Sequence, residues 1–92
     1  MPQLYRTLLA AGAGKMTGYM LTDEGTARFR KRIASADEAE AAGEDYKILN
    51  YLYRHGSAPL EDIAYYTGLS RNQVMAQMTV FLSHGLVEGT TV

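Results

Sequence analysis

The tightest constraint on this chain is one spacing: Ala64, then Gly68 four residues on, then Val74 six residues after that. Each residue type has a physical task. A small side chain at position 64 lets two helices approach closely. Gly68 can adopt the left-handed backbone that reverses a chain between helices. A branched aliphatic at position 74 packs the second helix back onto the first.

The flanks supply the helices that this turn needs. Residues 59–67 (PLEDIAYYT) predict a short helix, since Pro59 lacks an amide hydrogen and costs nothing in a first turn. Gly68 ends it, Leu69 bridges, and Ser70 caps a helix over 71–84 (RNQVMAQMTVFLSH). On that helix Val74, Met78 and Phe81 share a face that Leu82 extends, and Gly85 closes it. Upstream, residues 45–55 (DYKILNYLYRH) predict another helix, with Tyr46, Leu49 and Tyr53 on a stripe and Ile48 and Leu52 beside it. Gly56 stops it in the position expected after a helix C-terminus. Downstream, Leu86, Val87 and the Thr-rich end predict a strand over 86–92.

Taken together, Ile48-Leu49-Asn50-Tyr51-Leu52, Ile63-Ala64, Gly68-Leu69-Ser70, Val74, Met78, Phe81 and Gly85-Leu86-Val87 resemble the winged helix-turn-helix DNA-binding superfamily. They are similar to MarR- and ArsR-like transcriptional regulators. The resemblance covers residues 45–88, about half the chain. It implies a mainly α (α+β) fold: a three-helix helix-turn-helix core, a short two-stranded wing sheet and an additional N-terminal helix. A single winged-helix domain over 1–92 is expected, with a strand and helix over 15–36 and the core and wing strand over 45–92.

The order of elements departs from that family. A winged helix normally continues from its first wing strand through a hairpin into a second. Here residues 15–21 (KMTGYML) predict a strand that looks like the second wing strand, placed early in the chain. Thr22 is a good N-cap for a following helix over 23–35, and Asp23 and Glu24 put negative charge at its positive end. Phe29 and Ile33 give that helix an apolar pair. Strand 15–21 is therefore expected to pair antiparallel with 86–92, in the same chain or a partner, because an open strand edge invites association. Residues 34–44 (ASADEAEAAGE) are polar and bury little, as a frayed helix end or a connector. Ahead of all this, Leu4, Leu8 and Leu9 permit a short amphipathic helix, which Gly12 and Gly14 break.

Composition narrows the chemistry. With 47% hydrophobic and 21% charged residues the chain has the balance of a soluble globular domain. Cysteine is absent, so disulfides and thiolate chemistry are excluded. No apolar run approaches the roughly 18 residues that cross a bilayer. The first residues lack the basic start of a secretory signal, so a cytoplasmic protein is expected. Gly12-Ala13-Gly14-Lys15 lacks phosphate-loop spacing, and no Ser, His and Asp arrangement stands out. Neither an enzyme nor a cofactor is expected, and no small-molecule substrate is identified. His55 and His84 each end a helix before a glycine, where a cation complements the helix dipole, so metal binding is not expected.

For function, the resemblance points to double-stranded DNA as partner and to a homodimer. Helix 71–84 would enter the major groove with Ser70, Arg71, Asn72, Gln73 and Gln77 near base edges. Net charge is −1, yet four of the nine Lys and Arg residues fall within Arg28-Phe29-Arg30-Lys31-Arg32. Arg28, Arg30, Lys31 and Arg32 are thus candidate phosphate contacts, and Lys15 and Tyr19 candidate wing contacts. The competing expectation is a protein-protein interaction module that keeps the fold without DNA binding. Its signs are the net charge, the single cation Arg71 on helix 71–84, and the tyrosines 51, 53, 65 and 66, since interfaces favour tyrosine.

Overall fold

A computed structural model of the chain describes residues 17–91. The helix expected from Leu4, Leu8 and Leu9 lies outside the described residues, as does Lys15. In chain order the elements are β1 (Thr17–Leu21), α1 (Asp23–Ser35), α2 (Glu38–Ala41), α3 (Glu44–His55), β2 (Ser57–Pro59), α4 (Leu60–Thr67), α5 (Arg71–Ser83) and β3 (Val87–Thr91). The fold is mostly helical with a small antiparallel sheet of order β2-β1-β3.

β1 is the central strand. It pairs with β3 from Thr17↔Thr91 to Leu21↔Val87, within one chain. Its other edge pairs with β2, from Gly18↔Pro59 to Met20↔Ser57. The sheet therefore has three strands where the sequence predicts two. The missed strand is only Ser57–Pro59, too short for alternation to reveal. Its proline also reads as a helix start, although an edge strand tolerates the missing donor. Pro59 is extended, with φ −76° and ψ 163°, and stands just outside α4 as its cap.

Local chemistry sets the helix ends. The Thr22 hydroxyl accepts the Gly25 amide at 3.0 Å at the start of α1. Asp37 caps α2 by accepting the Glu40 amide at 2.9 Å, so the polar connector contains one helical turn that buries nothing. Gly68 ends α4 at φ 77°, in the left-handed region the turn requires. Ser70 and Gln73 form a reciprocal capping box on α5: Ser70 accepts the Gln73 amide at 3.1 Å, and the Gln73 side chain accepts the Ser70 amide at 2.8 Å.

One core joins these elements. Ile48 from α3, Ile63 from α4 and Val74 from α5 are each fully buried at its centre. Met78 and Phe81 continue it along α5, Phe29 closes it from α1, and Leu21 and Val87 close it from the sheet. On α3 the buried face is Ile48, Leu49 and Leu52, while Tyr46 and Tyr53 sit at its edge. They pack on the Phe29 ring at centroid distances of 4.9 Å and 5.6 Å. No side-chain polar atom among the described residues is buried without a partner.

The N-terminal elements are clasped to the end of α5. The Thr22 amide donates to the Leu86 carbonyl at 3.0 Å, and the Thr22 hydroxyl donates to the Gly85 carbonyl at 2.6 Å. Gly25 lies directly over Leu86, where a Cβ would overlap the Leu86 carbonyl.

Candidate nucleic-acid interface

The first turn of α5 gathers Ser70, Arg71, Asn72 and Gln73, all exposed, with Gln77 half-buried one turn on. Besides the Ser70–Gln73 capping box, two of these carry partners. Arg71 pairs with Glu61 of α4 at 3.3 Å, and both side chains are more than half exposed. Gln73 donates from its amide nitrogen to Glu44, the first residue of α3, at 2.7 Å. Two carboxylates therefore border the turn that carries the expected base-reading residues. Farther along α5 the surface turns apolar, with Met75 at 51% exposure, Val80 at 46% and Leu82 at 45%.

Arg28, Lys31 and Arg32 recur at i, i+3 and i+4 along one side of α1, with Arg30 turned away from them, but the four side chains go to different partners. Arg28 pairs with Glu24 at 2.7 Å on the exposed side of α1. Arg30 donates to the Tyr53 hydroxyl at 3.4 Å. Arg32 turns inward and ties α1 to two neighbours, Glu40 on α2 at 2.8 Å and Asp45 on α3 at 3.2 Å. Its guanidinium also lies 5.4 Å from the centre of the Tyr46 ring. Burial alone would lower the Arg32 pKa. Hydrogen bonds to Glu40 and Asp45 and the charge of both outweigh it and hold the pKa above the ordinary arginine value. Lys31 is exposed and makes no ion pair among the described residues. None of the four makes a hydrogen bond or ion pair with the first turn of α5. Tyr19 is half-buried and packs against the core from β1.

The tyrosines divide by role. Tyr46 and Tyr53 belong to the core edge. Tyr51 packs against the core as well, and it begins a ring ladder with His55 and the exposed Tyr66 and Tyr65. The Tyr51 ring lies 4.3 Å from His55 and stacks on Tyr66 at 5.7 Å, with ring planes 10° apart. Tyr65 meets Tyr66 edge-on at 4.9 Å. The ladder borders a groove of about 360 Å³ between α3 and α4, which Lys47, Asn50 and Arg54 also line. Sequence reading passed over Lys47 and Arg54. Their signal was available: Lys47, Tyr51, Arg54 and His55 recur at helical spacing on one side of 45–55.

No group of three or more His, Asp or Glu side chains suited to a metal ion occurs among the described residues. No helix among them is long and apolar enough to cross a membrane. In comparison with known proteins, no family model matches the chain, nor does any curated protein or solved structure.

Proposed function

We propose that this chain is a winged-helix domain with reordered wing elements that binds duplex DNA through α5. The observation that carries the proposal is the in-chain pairing of β1 with β3. It supports β1 as the second wing strand, standing before the helix-turn-helix in the chain instead of after it. The α4–Gly68–α5 unit then serves as the helix-turn-helix, with Ala64, Gly68 and Val74 in the tasks their spacing suggests. Ser70, Arg71, Asn72 and Gln73 lie on the exposed first turn, the part of a recognition helix that meets base edges.

The Arg71–Glu61 pair does not stand in the way. An exposed pair contributes at most about 1 kcal/mol, whereas a bidentate arginine–guanine contact contributes about 1–3 kcal/mol of discrimination. Lys31 makes no ion pair, and the partners of Arg28 and Arg30 are exposed and weak enough to exchange for phosphates, while Arg32 acts as an internal strut. Two copies bind together, because one small domain offers limited contact area and a dimer spans two half-sites about 34 Å apart. No catalytic role is assigned.

The test is fluorescence anisotropy of labelled mixed-sequence duplex across a salt series, with Arg71→Ala alongside. Binding that weakens with salt and is weaker in the variant supports the proposal. No binding at low salt contradicts it.

A second reading rests on a specific observation, the exposed Met75 and Leu82, seven residues apart on one face of α5. With Glu44 and Glu61 at one end of the helix, this surface suits a protein partner with an apolar groove and a basic rim. In that case Met75→Lys abolishes partner binding and Arg71→Ala does not.

A further inference from the structure

The groove between α3 and α4 is separate from the α5 surface and takes no part in the duplex proposal. Its wall holds His55, Tyr51 and Tyr66, and Tyr65 extends the ladder past the groove by its edge-on contact with Tyr66. Tyr65 is 78% exposed and Tyr66 65%, so these rings face solvent and not the core. Lys47 and Arg54 stand on α3 two turns apart, about 10 Å along the axis. A strand laid along α3 therefore meets a cation at each end of the ring ladder. Arg54 is steadied by the Asn50 side-chain oxygen at 3.0 Å. Neither Lys47 nor Arg54 makes an ion pair with a described residue. Asp62 is the carboxylate whose charge reaches the ladder. After burial, its charge and then Tyr66 raise the pKa of the Tyr51 hydroxyl.

We infer that this groove binds single-stranded nucleic acid, with unstacked bases against the tyrosine ladder and backbone phosphates on Lys47 and Arg54. Charge complementarity selects this occupant: the exposed Tyr66 and Tyr65 rings beside unpaired cations suit a polyanion that carries flat π-systems. A duplex presents base edges and keeps its base faces stacked on one another, so it gains nothing from the rings. A neutral peptide would leave both cations unanswered. The groove volume falls within the range of small-ligand sites, enough to hold part of a nucleotide while the strand continues over α3.

The experiment is anisotropy of a labelled oligothymidylate of about 12 nucleotides, within the span of single-strand sites, titrated with the whole chain across a salt series. Tyr66→Ala is expected to weaken binding about tenfold. The double variant Lys47→Ala, Arg54→Ala is expected to weaken it and lower the salt slope by about 1.4, the release of two counterions. All three side chains lie at the surface, and circular dichroism checks that each variant keeps its helices. Arg71→Ala, weakened on duplex but not on oligothymidylate, separates the two faces. No binding at low salt, or binding that Tyr66→Ala leaves unchanged, overturns the inference even where duplex binding holds. Displacement of the oligothymidylate by a neutral proline-rich peptide that binds more tightly also overturns it, and assigns the groove to peptides.

Discussion

The Thr22 hydroxyl donates to the Gly85 carbonyl at 2.6 Å while accepting the Gly25 amide at 3.0 Å. One side chain thus caps α1 and fastens it to the turn after α5, across 63 positions of sequence. Gly25 completes the clasp, because any Cβ there meets the Leu86 backbone.

The clasp predicts an ordered pair of costs. Thr22→Ala loses a helix cap, about 1 kcal/mol, together with the bond to Gly85. Gly25→Ala forces backbone apart at a packed junction and should cost more, about 2–3 kcal/mol, in the range of overpacking. Urea unfolding followed by circular dichroism reads both. A Gly25→Ala midpoint equal to the parent chain would mean that α1 does not sit on Leu86.

Arg32 and Arg28 lie one helical turn apart and should respond differently. Arg32 is held by Glu40, Asp45 and the Tyr46 ring. Arg32→Ala should lower stability by about 1–2 kcal/mol, the scale of charged hydrogen bonds near a surface. Arg28 has one exposed partner, and Arg28→Ala should stay within about 0.5 kcal/mol of the parent. Equal effects in thermal unfolding would contradict the strut.

The two methionines of α5 give a similar contrast. Met78 is 2% exposed and Met75 51%. Met78→Ala should destabilise by about 2–5 kcal/mol through the cavity it leaves. Met75→Ala should lie near zero. Denaturant midpoints of the two variants decide whether α5 turns this face to the core.

Gly68 sets the angle between α4 and α5. Gly68→Ala must hold an L-residue in left-handed backbone, about 1 kcal/mol, although its side chain would meet open space. Gly68→Asn should recover part of the loss, since Asn tolerates that region. A loss with Asn as large as with Ala would point to packing and not to backbone conformation.

Much of the fold was legible because it rests on local chemistry. Thr22, Ser70 and Gly68 announce a cap, a cap and a stop, and each occupies that position. The apolar periodicity of 71–84 named Val74, Met78 and Phe81, the three buried residues of α5. The pairing of β1 with β3 was expected from the likeness of residues 15–21 to a second wing strand, in the same chain or a partner, and it forms within one chain. β2 stayed hidden because three residues carry no period and Pro59 suggests a helix start. The site was less legible. Arg28 to Arg32 look like one basic patch in one dimension, but helical rotation turns Arg30 away from the other three and Arg32 finds carboxylates distant in sequence. The groove escaped notice because its tyrosines and cations come from two helices whose packing angle no single segment encodes.

The most direct test of duplex binding through α5 is the change in backbone amide NMR shifts as unlabelled duplex DNA is added to isotope-labelled chain at low salt. The account predicts that the largest shifts fall on Ser70, Arg71, Asn72, Gln73 and Gln77, with smaller ones along β1 and β3. Shifts absent from those five residues, or confined to Lys47, Tyr51, Arg54 and Tyr66, would contradict it.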